Sequence, residues 1–301
     1  MPAPGRPSPK PPPDFAGTLI ESEDEIRQAL LARLGTAGPA APAPAATESA
    51  PVAGREPRRL AERGGAAEPF RPTSRPTTPR LTICDDGRND GEVIRIRRPR
   101  FVIGRVEGDL TIPIDGRISS RHVEIALQSI GGVDRWVLAD LQSRHGLFVR
   151  VSRADLKDRS EFLVGGGRYM FHGPSAEPPA RPSASATAMA ATFDETQGWG
   201  DRREPVALPS LAEVSQDGAG ERKLLIQPEY WIGSDPKCAI QRPGDPFCEP
   251  RHARIYREPG GSWRVEHDRT ANGLWLRMSR VVVAAAVRFQ IGEQRFQLQV
   301  P

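Results

Sequence analysis

The sequence predicts an all-β protein: two antiparallel β-sandwiches joined by a flexible linker, with a long disordered N-terminal tail. Three observations predict it. Short β-rich runs recur between turn residues, with no helical period among them. The β-rich texture occurs twice, in an order that repeats. Between and before the two blocks the chain is rich in Pro, Ala and Ser. At ~150 residues per domain, a 301-residue chain holds about two domains.

The tail spans residues 1–78 and carries roughly half of the 31 prolines, with Ala/Pro runs such as Pro39 to Ala46. Such a segment cannot bury enough apolar surface to offset its ordering entropy. One island differs. Ser22 and Glu25 have capping-box spacing, and Ile26, Leu30, Leu31 and Leu34 form one helical stripe. A short helix over 23–34 is expected. Such a helix is marginal alone; it either docks on a partner or is transient and without a role.

Block one spans residues 79–173. Its strand-like runs begin at Leu81, Val93, Phe101, Leu110, Val123, Trp136, Leu147, Phe162 and Tyr169. Residues 174–203 form a flexible linker. There Thr192 and Thr196 stand beside acidic residues. A phosphate on Thr196 could dock on the first domain, or the segment could be an ordinary polar linker. Block two spans 204–301. Gly104, His122, Trp136, Gly146 and Gly165 are matched by Gly233, His252, Trp263, Gly273 and Gly292, at offsets of 129, 130, 127, 127 and 127 residues. The chain therefore contains a duplicated unit of ~95 residues, an ordinary size for one domain.

Composition excludes several classes. The longest aliphatic run, Val281 to Val287, is far short of the ~20 residues of a membrane span. No signal-peptide core is expected at the N-terminus. The three cysteines form no C-x-x-C pair, which fits a reducing, cytoplasmic setting better than a disulfide scaffold. Formal charge is only +4 and no aromatic stripe accompanies the arginines, so nucleic-acid binding is not expected. The Arg-, Ala- and Pro-rich usage with four lysines fits a GC-rich bacterial genome.

No Walker loop, H-E-x-x-H or G-x-S-x-G is present, and no enzymatic activity, metal or cofactor is expected. Gly165-Gly-Gly resembles a phosphate loop, but no helix pattern follows and a hairpin turn is the better reading. What remains in block one is three loop clusters: Gly104-Arg105, Ser119-Ser120-Arg121-His122 and Ser143-Arg144-His145-Gly146. Loops at one end of a sandwich converge in space. Converging guanidiniums and hydroxyls make an anion site.

Block one resembles the forkhead-associated (FHA) domain. The matching stretches are Phe101-Val-Ile-Gly-Arg, Ile118-Ser-Ser-Arg-His-Val-Glu-Ile and Trp136-Val-Leu-Ala-Asp-Leu-Gln-Ser-Arg-His-Gly-Leu-Phe-Val. The resemblance implies an eleven-strand sandwich that binds phosphothreonine peptides and is not catalytic. By position it implies that Arg105 and Ser119 hold the phosphate, with Ser120 and Arg121 flanking it. His122 would fix the loop geometry, Gly104 would permit the turn before the arginine, and Gly146 would complete the frame. His145 stands where the family usually has asparagine, with Arg144 beside it.

Block two resembles the same family in frame but not in phosphate chemistry: Ser234 replaces the arginine and Glu249 the serine. It is expected to be degenerate, and either to bind an unphosphorylated partner or to pack against the first domain. The resulting expectation is a signalling adaptor for a phosphothreonine protein, the substrate of a Ser/Thr kinase. The alternative is a phosphate-independent scaffold built from both sandwiches.

Overall fold

A computed structural model describes residues 17–22, 25, 28, 78–84, 91–174, 208–215 and 218–301. The linker threonines Thr192 and Thr196 lie outside them, as does most of the expected helix. Of that helix, Ser22 and Glu25 make both bonds of the capping box, the Ser22 N–H donating to Glu25 (2.7 Å) and the Glu25 N–H to Ser22 Oγ (3.3 Å).

All nine runs of block one are strands. They are β2 (Arg80–Ile83), β3 (Val93–Arg95), β4 (Arg100–Gly104), β5 (Leu110–Thr111), β6 (Val123–Ile130), β7 (Val133–Asp140), β8 (Leu147–Leu156), β9 (Ser160–Val164) and β10 (Gly167–His172). Block two supplies β11 (Ser210–Ser215), β12 (Gly218–Leu224), β13 (Glu229–Gly233), β14 (Ile240–Gln241), β15 (Ala253–Arg257), β16 (Trp263–His267), β17 (Leu274–Met278), β18 (Arg280–Val283), β19 (Ala286–Ile291) and β20 (Gln294–Gln299). A further short strand, β1 (Leu19–Ile20), comes from the tail. The strands are short, and neighbours are antiparallel except in β4–β5 and β13–β14. Gly165, at φ 59°, makes the β9–β10 hairpin turn, a conformation that costs glycine little.

The strands do not pair block by block. The first five-stranded sheet runs β18-β7-β6-β4-β5, so block two supplies its edge. Its counterpart is the run β8-β16-β15-β13-β14, in which block one supplies β8. The facing layers follow suit: β2 pairs with β20, and β11 pairs with β10. Each sandwich therefore takes its first half from one repeat and its last strands from the other. The crossing occurs where β8 and β17 run antiparallel, pairing Leu147 with Met278 and Val151 with Leu274. A shift of 127 residues interchanges those two pairs, so the β8–β17 contact is a local pseudo-twofold axis.

Packing keeps this symmetry. Phe162 stacks on Tyr169 with ring centroids 5.6 Å apart, and their counterparts Phe289 and Phe296 stack at 5.0 Å. All four rings are almost fully buried, each contributing roughly 1.5–3 kcal/mol of burial. The aliphatic residues of both repeats belong to one continuous core. Asp115 accepts from the Glu293 N–H (2.7 Å), and Asp245 accepts from the Gly166 N–H (2.8 Å), so each C-terminal hairpin is clipped to the other repeat's loop.

The tail adds one element. β1 lies along β8, with Ile20 opposite Val151. Its neighbour Glu21 is buried and ion-paired with Arg150, and lies 3.5 Å from His267 Nε2. Arg150 also donates to the carbonyls of Ala271 (2.9 Å) and Thr270 (3.1 Å). Burial pushes the Glu21 carboxyl up, but hydrogen bonds from His267 and Arg150 outweigh it and hold the group below the ordinary carboxylate range. A buried ion pair thus anchors a segment whose composition alone reads as disordered.

Candidate anion-binding site

The site sits at the end of β4, where three loops meet. The Arg105 N–H donates to the Ser119 carbonyl (2.9 Å), and the Glu107 N–H to the Ser120 carbonyl (3.0 Å). These bonds clamp the loop after β4 to the loop before β6. Gly104 is required at the clamp, though not for an unusual turn. A Cβ there would collide with the carbonyls of Ser120 and Glu107, so the constraint is close backbone approach.

His122 is fully buried beneath the loops. The Ser119 N–H donates to its Nδ1 (3.1 Å), which places the ring proton on Nε2. Nε2 then donates to the Gly146 carbonyl (3.1 Å). Burial holds the imidazole below its ordinary pKa, against the opposing bond to Gly146. The ring is a neutral strut tying the second loop to the third.

The third loop is braced from below. Ser143 Oγ donates to Asp140 (2.5 Å) and accepts from the Gly146 N–H (3.0 Å). Gly146 has φ 86°, and a Cβ on it would run into the Arg277 side chain. Arg277 comes from the other repeat and pairs with Glu161 (2.9 Å). Asp140 and Arg277 were not singled out in the sequence. The Asp140/Ser143 pair has the spacing of a turn cap and was legible; Arg277 became a neighbour only through strand exchange.

On this scaffold stand the anion-directed groups. Arg105 is exposed; its Nε donates to the Ile118 carbonyl (3.2 Å), while its two terminal nitrogens make no bond among the described residues. Ser119 Oγ accepts from the Arg144 N–H (3.1 Å). That bond uses a lone pair and leaves the hydroxyl proton free to donate. Ser120, Arg121 and Arg144 are exposed at the rim, and His145 is half-buried among them. Burial, then the charges of Arg168, Arg144 and Arg117, holds His145 below its ordinary pKa. The three loops thus gather guanidiniums, a hydroxyl and a neutral imidazole around one end of the sandwich.

The second sandwich repeats the frame without the chemistry. The Glu249 N–H donates to His252 Nδ1 (3.2 Å), and His252 Nε2 reaches the Gly273 carbonyl (2.9 Å). Here Glu249 accepts from the Ala271 N–H (2.9 Å), as Ser119 does from Arg144. A carboxylate has no proton left to donate and repels a second anion. Ser234 supplies no positive charge where Arg105 stands.

The FHA domain family matches residues 101–165 and again 230–294. The chain belongs to the FHA family, with two tandem copies of the domain. Among the solved structures that match it are two FHA-related ones. One belongs to a structural and functional analysis of phosphothreonine-dependent FHA domain interactions, with 32% identity over 24% of this chain and 69% of that chain, at a TM-score of 0.20. The other is EmbR of Mycobacterium tuberculosis in complex with a low affinity phosphopeptide, with 17% identity over 32% of this chain and 24% of that chain, also at 0.20. None of the curated proteins compared with the chain matches it. Among the described residues no helix is long and apolar enough to cross a membrane, and no three metal-binding side chains converge.

Proposed function

We propose that this protein is a non-enzymatic adaptor that binds phosphothreonine on a kinase-modified partner through the site at Arg105 and Ser119. One observation carries the reading. Arg105 is fixed by its backbone and Nε yet, among the described residues, keeps both terminal nitrogens unbonded, beside a serine whose hydroxyl proton has no acceptor there. A phosphothreonine brings about −1.5 to −2 charge at pH 7, matching that arrangement. Ser120, Arg121, Arg144 and His145 border the phosphate and contact the peptide. The second sandwich does not read phosphate; its Glu249 supports a structural role, holding the exchanged strands. Three buried cysteines with no C-x-x-C pair suit a reducing compartment such as the cytoplasm.

The test is a phosphothreonine peptide library presented to the full chain, because residues 79–173 alone lack the strands that complete either sandwich. Phosphate-dependent capture that is lost in Arg105→Ala supports the reading. Capture that ignores phosphate contradicts it and favours a phosphate-independent scaffold.

A further inference from the structure

Beside the phosphate site lies a cavity of about 380 Å³, lined by Arg98, Pro99, Arg100, Val102, Asp109 and Arg121. Its charge is only partly answered. Arg98 lies 3.7 Å from Asp109 while remaining 81% exposed, and Arg100 pairs with Glu124. Arg121 makes no hydrogen bond or ion pair among the described residues. It directly follows Ser120, whose carbonyl clamps the phosphate loop.

The second sandwich shows what this arrangement is not. There Trp231 stands in the place of Val102, and Arg251 in that of Arg121. The Arg251 guanidinium lies over the indole, 5.0 Å from the ring centroid, and Arg254 lies at 5.9 Å. A cation stacked in this way is held on the ring face. In the first sandwich the smaller valine leaves Arg121 unstacked beside an open cavity.

We propose that this cavity is a second anion subsite, which takes an acidic side chain of the peptide whose phosphothreonine occupies the first. The inference rests on the proposed phosphothreonine site and names a feature of its ligand. The chemistry is a guanidinium fork meeting a carboxylate, close enough to the phosphate for one short peptide to reach both.

The experiment uses the full chain and a fluorescent phosphothreonine peptide selected from the library. Each flanking position is set to Glu or to Gln in turn, and affinity is read by anisotropy. The expected result is one position at which Glu binds roughly fivefold more tightly than Gln. Arg121→Gln should erase that preference, the Glu and Gln peptides then binding within about twofold of each other. Val102→Trp, which copies the second sandwich, should erase it too; a melting curve checks that this variant folds, and Arg121→Gln decides alone if it does not. Phosphoserine at the same position should gain at least as much as Glu, with the same dependence on Arg121. No Glu preference at any position, or one that survives Arg121→Gln, overturns the subsite and leaves the phosphothreonine site standing. Failure of every phosphothreonine peptide to bind overturns both.

Discussion

Asp155 and Arg264 face each other across β8 and β16, the Arg264 Nε donating to Asp155 at 2.5 Å, although they belong to different repeats. The pair gives a reason for the strand exchange. The matching position in the other sandwich pairs Val137 with Val282. Without exchange, Asp155 would face Val137 and Arg264 would face Val282. Exchange places charge against opposite charge and valine against valine, and matched cross-strand pairs of this kind stabilise a sheet where mismatched ones do not. Reversing the charge at either site should therefore destabilise, and Asp155→Arg with Arg264→Asp together should recover part of the loss. Denaturant titrations of the four proteins measure the coupling. Additive effects would place the two residues in separate bodies.

The site loop depends on Gly146. Its φ of 86° and its contact with Arg277 leave no room for a side chain. Gly146→Ala is expected to cost more than about 1 kcal/mol and to weaken phosphopeptide binding, since it displaces the loop carrying Arg144 and His145. Gly116, with nothing near its Cβ, provides the control: Gly116→Ala should leave both stability and affinity almost unchanged.

The tail strand should come loose in acid. Because Glu21 titrates below its ordinary range in the folded protein, its contribution is complete above the unfolded value near 4.5 and is lost as pH falls through the folded value. Glu21→Gln should release β1 already at neutral pH, because it leaves the buried Arg150 without its charge partner. Hydrogen exchange at Ile20 and Glu21 reads this directly. Protection that is unchanged in Glu21→Gln would show that the ion pair does not hold the strand.

The two struts give a second pH signature. Burial lowers the pKa of both His122 and His252, so the unfolded chain takes up protons at a higher pH than the folded one. Stability is complete above about 6.5 and falls as pH drops below it, by at most about 1.4 kcal/mol per pH unit for each histidine. Thermal melts from pH 7.5 to 5.5 should therefore shift downward. A flat profile would mean that the rings accept a proton in place, which the Nδ1 bonds to Ser119 and Glu249 oppose.

Much of this molecule was legible in its sequence. The nine runs of block one are all strands because each carries β-branched and aromatic residues between turn formers. Gly104, His122 and Gly146 were found through their repeated spacing, and each does constrain the loops. The exchange was not legible. The two blocks share one alternation pattern, so pairing within and between repeats looks equally good to periodicity; the choice rests on individual cross-strand partners such as Asp155 with Arg264. The same degeneracy hid Arg277 beneath the site loop. Glu21 was unreadable for another reason: a lone carboxylate in a polar tail shows no sign of the buried arginine that waits for it.

On the proposed function one sandwich of the two binds phosphate, and stoichiometry tests that most directly. Titration calorimetry of the full chain with a library-selected phosphothreonine peptide should give one site per chain. Binding should fall by one to two powers of ten in Arg105→Ala, the loss of one charge-assisted bond of roughly 1.5–3 kcal/mol, and should be unaffected by Glu249→Gln. Two sites per chain, or one site that survives Arg105→Ala, would contradict the account.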